Sequence, residues 1–313
     1  MNRLFAVRSR KERFSFLADK RTVAVFAALA ALTLVAFVAS VSLGSKNTSP
    51  LDMFYTLIGN GTAENEMVIG TLRLPRIVVA IMVGAALGVS GAILQGIVRN
   101  PLASPDIFGI TGGASVAAVA FITYLAGPVS LKWLPVAAFA GAALISVAIY
   151  LLAWSKGVTP TRLVLIGIGI SAGTSSLTML MITLSPITAA SRAYIWLTGS
   201  IYGASWENVY TLLPWVVVFI PFALVYARNV NVQELGDDVA KGLGAPVQRH
   251  RLILLFVSVA LAGSAVAVAG AIGFVGLIAP HIARKLAGPS FGGLIPVAAL
   301  IGSLLLLVAD TIA

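Results

Sequence analysis

Eight stretches of this chain run for at least 20 residues without a single Asp, Glu, Lys or Arg: 22–45, 77–98, 107–131, 133–155, 163–191, 208–227, 252–283 and 286–309. About 20 helical residues cross a hydrocarbon core of about 30 Å, so each run is long enough to span a bilayer. Only 10% of the 313 residues are charged and 59% are hydrophobic, too little charge to cover a water-soluble domain of this size. The chain therefore reads as an all-α polytopic membrane protein. The first apolar run is too long for a secretory signal and no small-residue cleavage site follows it, so it is expected to be a retained span.

The run 252–283 needs more than one element. Thirty-two residues would make a helix of about 48 Å, well beyond one span. Gly270 and Gly273 break it, which predicts a hairpin with arms near 252–269 and 272–284. The second arm is too short to face lipid by itself and is expected to be buried in protein or beside a pathway. This gives nine spans: 23–43, 77–97, 108–126, 134–154, 163–184, 208–227, 252–269, 272–284 and 293–313. Residues 1–22 form a basic tail, and 23–313 the transmembrane domain.

The net charge of +10 comes from basic residues scattered between spans, which argues for membrane topology and against nucleic acid. With the N-terminus in the cytoplasm, 16 Lys and Arg fall inside against 5 outside (Lys46, Arg73, Arg76, Lys132 and Arg192). Without cysteine there is no disulfide or thiolate metal site. No Gly-rich phosphate loop ending in Gly-Lys-Ser/Thr occurs, and neither a zinc-protease motif nor a nucleophilic triad is suggested. No cofactor and no metal site is expected, and the chain is expected not to be an enzyme.

Several polar features interrupt the apolar background. Arg73 and Arg76 stand just outside the second span, stiffened by Pro75, either as interfacial anchors or as donors to a partner's carboxylates. The stretch 99–109, RNPLASPDIFG, holds Arg99, Asn100, Pro101, Pro105 and Asp106. Its prolines predict a rigid elbow, extended at Ser104, with Asp106 placed to cap the third span. The longest inside loop, 228–251, mixes acids with apolar residues and glycines and predicts one or two short bent helices, fit for a partner's groove or simply connecting. Glycines on the second span (Gly84, Gly88, Gly91) and the fifth (Gly167, Gly169, Gly173) have the spacing that lets helices approach closely in lipid.

Three segments together carry a resemblance: RLPRIVVAIMVGAALGVSGAILQGIVRNPLASPDIFGITGGASVAA at 73–118, ELGDDVAKGLG at 234–244 and GFVGLIAPHIARKLAG at 273–288. Their wording and order resemble the membrane permeases of iron-siderophore and vitamin B12 ABC importers, from about residue 70 to the end. The resemblance implies ten spans, a dimer with a second copy or a sister chain, two cytoplasmic ATPases and an external binding protein, periplasmic or lipid-anchored. The sequence then stops before a tenth, path-lining span, and a protein ending at Ala313 is expected to be inactive. By the same resemblance Arg73 and Arg76 meet the binding protein. Glu234, Leu235, Gly236, Asp237, Asp238, Ala240, Gly242, Leu243 and Gly244 form the element coupled to the ATPase. Gly273, Gly276, Pro280 and His281 belong to the short span near the path.

The elbow is then a hinge on the ATPase-facing side, not expected to touch cargo. The motif wording is closer to siderophore than to cobalamin permeases, with cobalamin or haem as the alternatives within the family and a bacterial cytoplasmic membrane as the location. Two other classes stand beside this reading. An ATP-independent carrier or channel would need ionisable residues inside its spans, for which only Asp310 is a candidate. A non-transport membrane scaffold has no positive feature in its favour.

Overall fold

The computed structural model describes residues 4–8, 15–43 and 48–313. Of the basic residues counted above, Arg3, Arg10, Lys11, Arg13 and Lys46 lie outside these. A short antiparallel ribbon opens the chain, β1 (Leu4–Arg8) paired with β2 (Ser15–Asp19). This ribbon is the one departure from all-α structure among the described residues. Everything after it is helical: α1 (Lys20–Ser42), α2 (Pro50–Leu57), then α3 (Ala63–Asn65), which continues as a π-helical stretch, Glu66–Arg73, into α4 (Leu74–Val98). A 3-10 turn, Pro105–Phe108, precedes α5 (Ile110–Ala120), which runs on in π-helical form through Leu125. Then come α6 (Leu134–Leu152), α7 (Pro160–Thr183), α8 (Ile187–Thr198), α9 (Trp206–Glu234), α10 (Asp237–Gly242), α11 (Val247–Ala269), α12 (Val275–Ala287) and α13 (Phe291–Ile312).

Each of the nine expected spans corresponds to a helix, but not all are full-length. Seven are long and apolar enough to cross a membrane. The segment Ile110–Leu125 is shorter, and α12 has only 13 residues, about 20 Å. Both start below the end of the bundle: α5 follows an elbow that dips inward, and α12 follows the turn at 270–274. That turn is where the hairpin was expected, with Gly270 and Phe274 at positive φ.

Helix α4 is the axis of the fold, packed on all sides by α9, α11, α12 and α13. Apolar burial does not drive helices together in lipid, so close backbone contact must. Its glycines supply that contact. A Cβ on Gly84 would overlap the backbone of Gly302, and one on Gly91 the carbonyl of Gly276. Hydroxyls complete the seam: Ser90 and Ser258 Oγ are 2.7 Å apart, and Ser303 Oγ donates to the Ile81 carbonyl at 2.8 Å.

The helices alternate in direction, which gives the bundle two distinct ends. Arg76 with Asp310, and Trp206 with the Gly70 carbonyl, tie together one end. Arg99 with Asp237, and Arg284 with Glu234, tie together the other.

Candidate functional site

At the Asp237 end the expected loop 228–251 is mostly helix. Helix α9 continues to Glu234, α11 begins at Val247, and only short turns flank α10. Gly236, at φ +105°, makes the first turn, and Gly244, at φ +80°, the second. Helix α10 thus projects as a single helical turn and a half between two long helices, with Ala240 buried beneath it.

The acids of this element divide into two sets. Asp237 faces inward and binds two guanidiniums: Arg251 at 2.9 and 3.0 Å through both oxygens, and Arg99 at 3.3 Å. Arg251 is only 1% exposed and also donates to the Val158 carbonyl, to which Gln248 Nε2 donates at 3.1 Å. Glu234 takes Arg284 of α12 at 2.9 Å. Through Asp237 the short helix α10 is therefore fastened to the end of α4 and to α11, which in turn holds the turn ahead of α7, while Glu234 ties the end of α9 to α12. Removing one partner of a buried ion pair costs about 3–5 kcal/mol because the other charge is left unpaired. Asp238, Leu235, Val239 and Leu243 point the other way and are exposed, Asp238 fully so. Gly242 adds no side chain to that face.

From Arg99, left-handed at φ 57°, the elbow leads inward. The Asn100 side chain accepts from the Leu102 N–H at 2.9 Å and rounds the turn after Pro101. Ser104 is extended at φ −140°, as a residue before proline should be. Gln95 Nε2 donates to Ala103 O and, at 3.2 Å, to Leu277 O, and Pro105 lies against Gly276. The Asp106 carbonyl accepts from Ser171, 11 residues into α7 and so about 16 Å from its start. The elbow is thus not confined to the bundle end. Asp106 also does not cap α5. Gly109, at φ 66°, occupies the N-cap position, and the Asp106 carboxylate instead accepts from the Thr111 hydroxyl at 2.6 Å.

Asp106 borders an open cavity of about 340 Å³ whose other polar lining includes Thr111, Ser115, Ser171, Ser175 and Thr178. The hydroxyls at 171, 175 and 178 recur at i, i+4 and i+7, one face of α7. Sequence reasoning missed this face, although the spacing was there to be read. Of the short-span residues, Gly276 and Pro280 are buried against the core, while Gly273 and His281 are exposed.

At the opposite end both arginines are engaged within the chain. Arg76 binds Asp310 Oδ1 through Nε at 2.9 Å and Nη2 at 2.7 Å, and its guanidinium lies 5.4 Å from the ring centre of exposed Tyr202. Arg73 donates to Val41 O at 2.6 Å and to Thr48 Oγ1 at 3.1 Å. Asp310, the one acid that an ion-coupled carrier would need, is already neutralised as a structural partner.

Comparison with known proteins decides the family. The model of the FecCD transport family matches residues 32–313. The chain belongs to that family. It is 47% identical to the achromobactin transport system permease CbrC of Dickeya dadantii, over 96% of this chain and 86% of the relative. It is 46% identical to the iron(3+)-hydroxamate import system permease FhuG of Bacillus subtilis, over 90% and 86%. A solved chain described as an inward-facing metal-chelate type ABC transporter superposes with a TM-score of 0.84 at 29% identity, covering 93% of this chain and 90% of its own. The resemblance read from the three motifs is borne out: this is a permease of the iron-siderophore and vitamin B12 ABC importer family.

Proposed function

We propose that this FecCD permease carries an iron-siderophore complex across a bacterial cytoplasmic membrane, with its N-terminus inside and nine spans in the described chain. It works with two ATPases, an external binding protein and a second permease, identical or sister. The observation that carries this reading is the division of labour in α10. Its outward face is exposed and ready for a partner, while its inward face is pinned by Asp237 to Arg99 and Arg251, and Glu234, ending α9 just before it, is tied to Arg284 of α12. When ATP binding draws the ATPases together, a displaced α10 pulls Arg99, and with it the elbow that ends at the Asp106 cavity. The cavity and the hydroxyl face of α7 form one wall of the path in this scheme. The chain itself contributes no chemistry.

The decisive experiment separates the two faces of α10 in the reconstituted complex. Asp238→Lys with Leu243→Asp changes only exposed groups and is expected to weaken ATPase binding. Asp237→Asn should leave the ATPases bound and hydrolysing while uptake collapses. If Asp237→Asn transports normally, Asp237 does not transmit the motion.

The end bearing Arg73 and Arg76 is the proposed docking face for the binding protein. Supporting it are the exposed Tyr202 beside Arg76 and the exposed Met67 and Leu72 nearby in sequence. Replacing both arginines with Glu should weaken docking and leave ATPase assembly intact. The comparison with Asp310→Asn, which breaks the same ion pair without reversing surface charge, separates docking from structural damage.

A further inference from the structure

A second cavity is lined by none of the hydroxyl residues of α7. It is about 430 Å³, bounded by α6 and α11 and floored by Phe108 of the elbow and Leu163 of α7. Its walls include Phe139, Val147, Leu151, Leu252, Phe256 and Ala260, and several of these are half-exposed or more. The hydroxyl of Ser146 is already spent on the Ala142 carbonyl at 2.7 Å. A polar chelate entering here would give up its water without recovering hydrogen bonds, so only hydrocarbon fits.

The cleft has a depth and a charged rim. Along α6 the lining runs from Phe139 to Leu151, about 18 Å, and along α11 from Leu252 to Ala260, about 12 Å. Those lengths match half of a hydrocarbon core of about 30 Å, the reach of one leaflet's acyl chain. Both walls end toward the Asp237 end of the bundle. There Tyr150 packs on Trp154, ring centres 5.8 Å apart, an aromatic pair of the kind that marks a membrane interface. Just beyond stand two exposed cations. Arg249 lies three and seven residues before Leu252 and Phe256, on the same helix face. Lys156 follows Trp154 by two residues. Arg162, donating to Ser155 O at 3.1 Å, adds a third cation to the same turn. No acid occurs in 151–165 or in 247–269 to neutralise them.

We propose that this cleft binds one acyl chain of an anionic phospholipid from the leaflet on the Asp237 side, with the phosphate held at the rim by Arg249 and Lys156. Each basic side chain near the surface favours an anionic lipid. Because Phe108 and Leu163 form the floor, the bound chain braces the elbow and α7 from behind.

The test uses the full chain in phosphatidylcholine nanodiscs doped with phosphatidylglycerol carrying a photoactivatable acyl chain, with labelled peptides mapped by mass spectrometry. Labelling at Val147–Leu151 and Leu252–Phe256 should exceed that at Leu34 and Val35, exposed apolar residues of α1, several-fold. It should fall to the α1 level in Ala143→Phe, which fills the cleft from a half-buried position. Arg249→Glu with Lys156→Glu should erase the preference for phosphatidylglycerol over a phosphatidylcholine probe, and this surface pair carries the test should the Phe variant not fold. Cleft labelling no stronger than on α1, or equal labelling by the two lipids in the unaltered protein, overturns the proposal.

Discussion

Helices α4 and α7 are written in the same vocabulary of Gly, Ala, Ser and branched apolar residues, yet they sit in opposite surroundings. The apolar window of α4 is 89% buried and that of α7 only 22%. In α4 the glycines touch backbone: Gly84 meets Gly302, and Gly91 meets Gly276. In α7, Gly167 packs on the Ile107 carbonyl, but Gly169 and Gly173 have open space where a Cβ would go. The difference teaches that small-residue spacing marks close approach without saying whose surface approaches. In α4 the partner is in the same chain. In α7 the open small face would suit the proposed second permease, and the hydroxyl face at Ser171, Ser175 and Thr178 the proposed path.

The sharpest way to break the comparison is to add the same side chain to both helices. Gly91→Leu must drive a side chain into the Gly276 carbonyl, where neither backbone has room to yield. We expect no folded protein in the membrane fraction. Gly173→Leu meets open space and should reach the membrane at normal levels, with the loss confined to pairing with the second permease and to uptake. Equal expression of the two variants, measured by blotting and detergent gel filtration, ends the distinction. A smaller effect is expected from Ser175→Phe, which narrows the cavity beside Asp106 without touching the α4 seam. Uptake should fall about tenfold, the equivalent of 1.4 kcal/mol on the barrier, with the folded yield unchanged. Unchanged uptake would remove this face of α7 from the path.

What could be read before the structure follows from which signals are local. Span positions were legible because the absence of charge over 20 residues is a local property with a strong energetic cause. So was the hairpin, from excess length and two glycines. The shortness of α5 was not, because it depends on the elbow dipping inward to Pro105 and Asp106, a matter of tertiary packing against Gly276 and Ser171. The role of Asp237 was half legible. Its segment stood out, but no sequence spacing says that Arg251, 14 residues on, and Arg99, far upstream, converge on one carboxylate. The resemblance assigns Asp237 and Asp238 alike to the coupling element, and only the structure separates them, Asp237 facing inward and Asp238 outward. Arg76 taught the same lesson: two arginines beside a span read as interfacial anchors or as donors to a partner, and neither reading shows Asp310 arriving from far along the chain.

The mildest test probes the α4 seam without adding bulk. Ser90 and Ser258 exchange hydroxyl and carbonyl contacts at 2.7, 3.0 and 3.3 Å in a fully buried pocket. Such interhelical hydrogen bonds contribute about 0.6 kcal/mol on average in a membrane protein, because a helix separated in lipid also satisfies its hydroxyl on its own backbone. Ser90→Ala leaves the Ser258 hydroxyl its bond to the Ser90 carbonyl, so no orphaned polar group results. The expected cost is therefore well under about 1 kcal/mol, visible only as a small drop in the thermal midpoint of the detergent-solubilised protein. A loss comparable to that of Gly91→Leu would show that hydroxyl bonding, and not backbone proximity, holds the seam of α4 together.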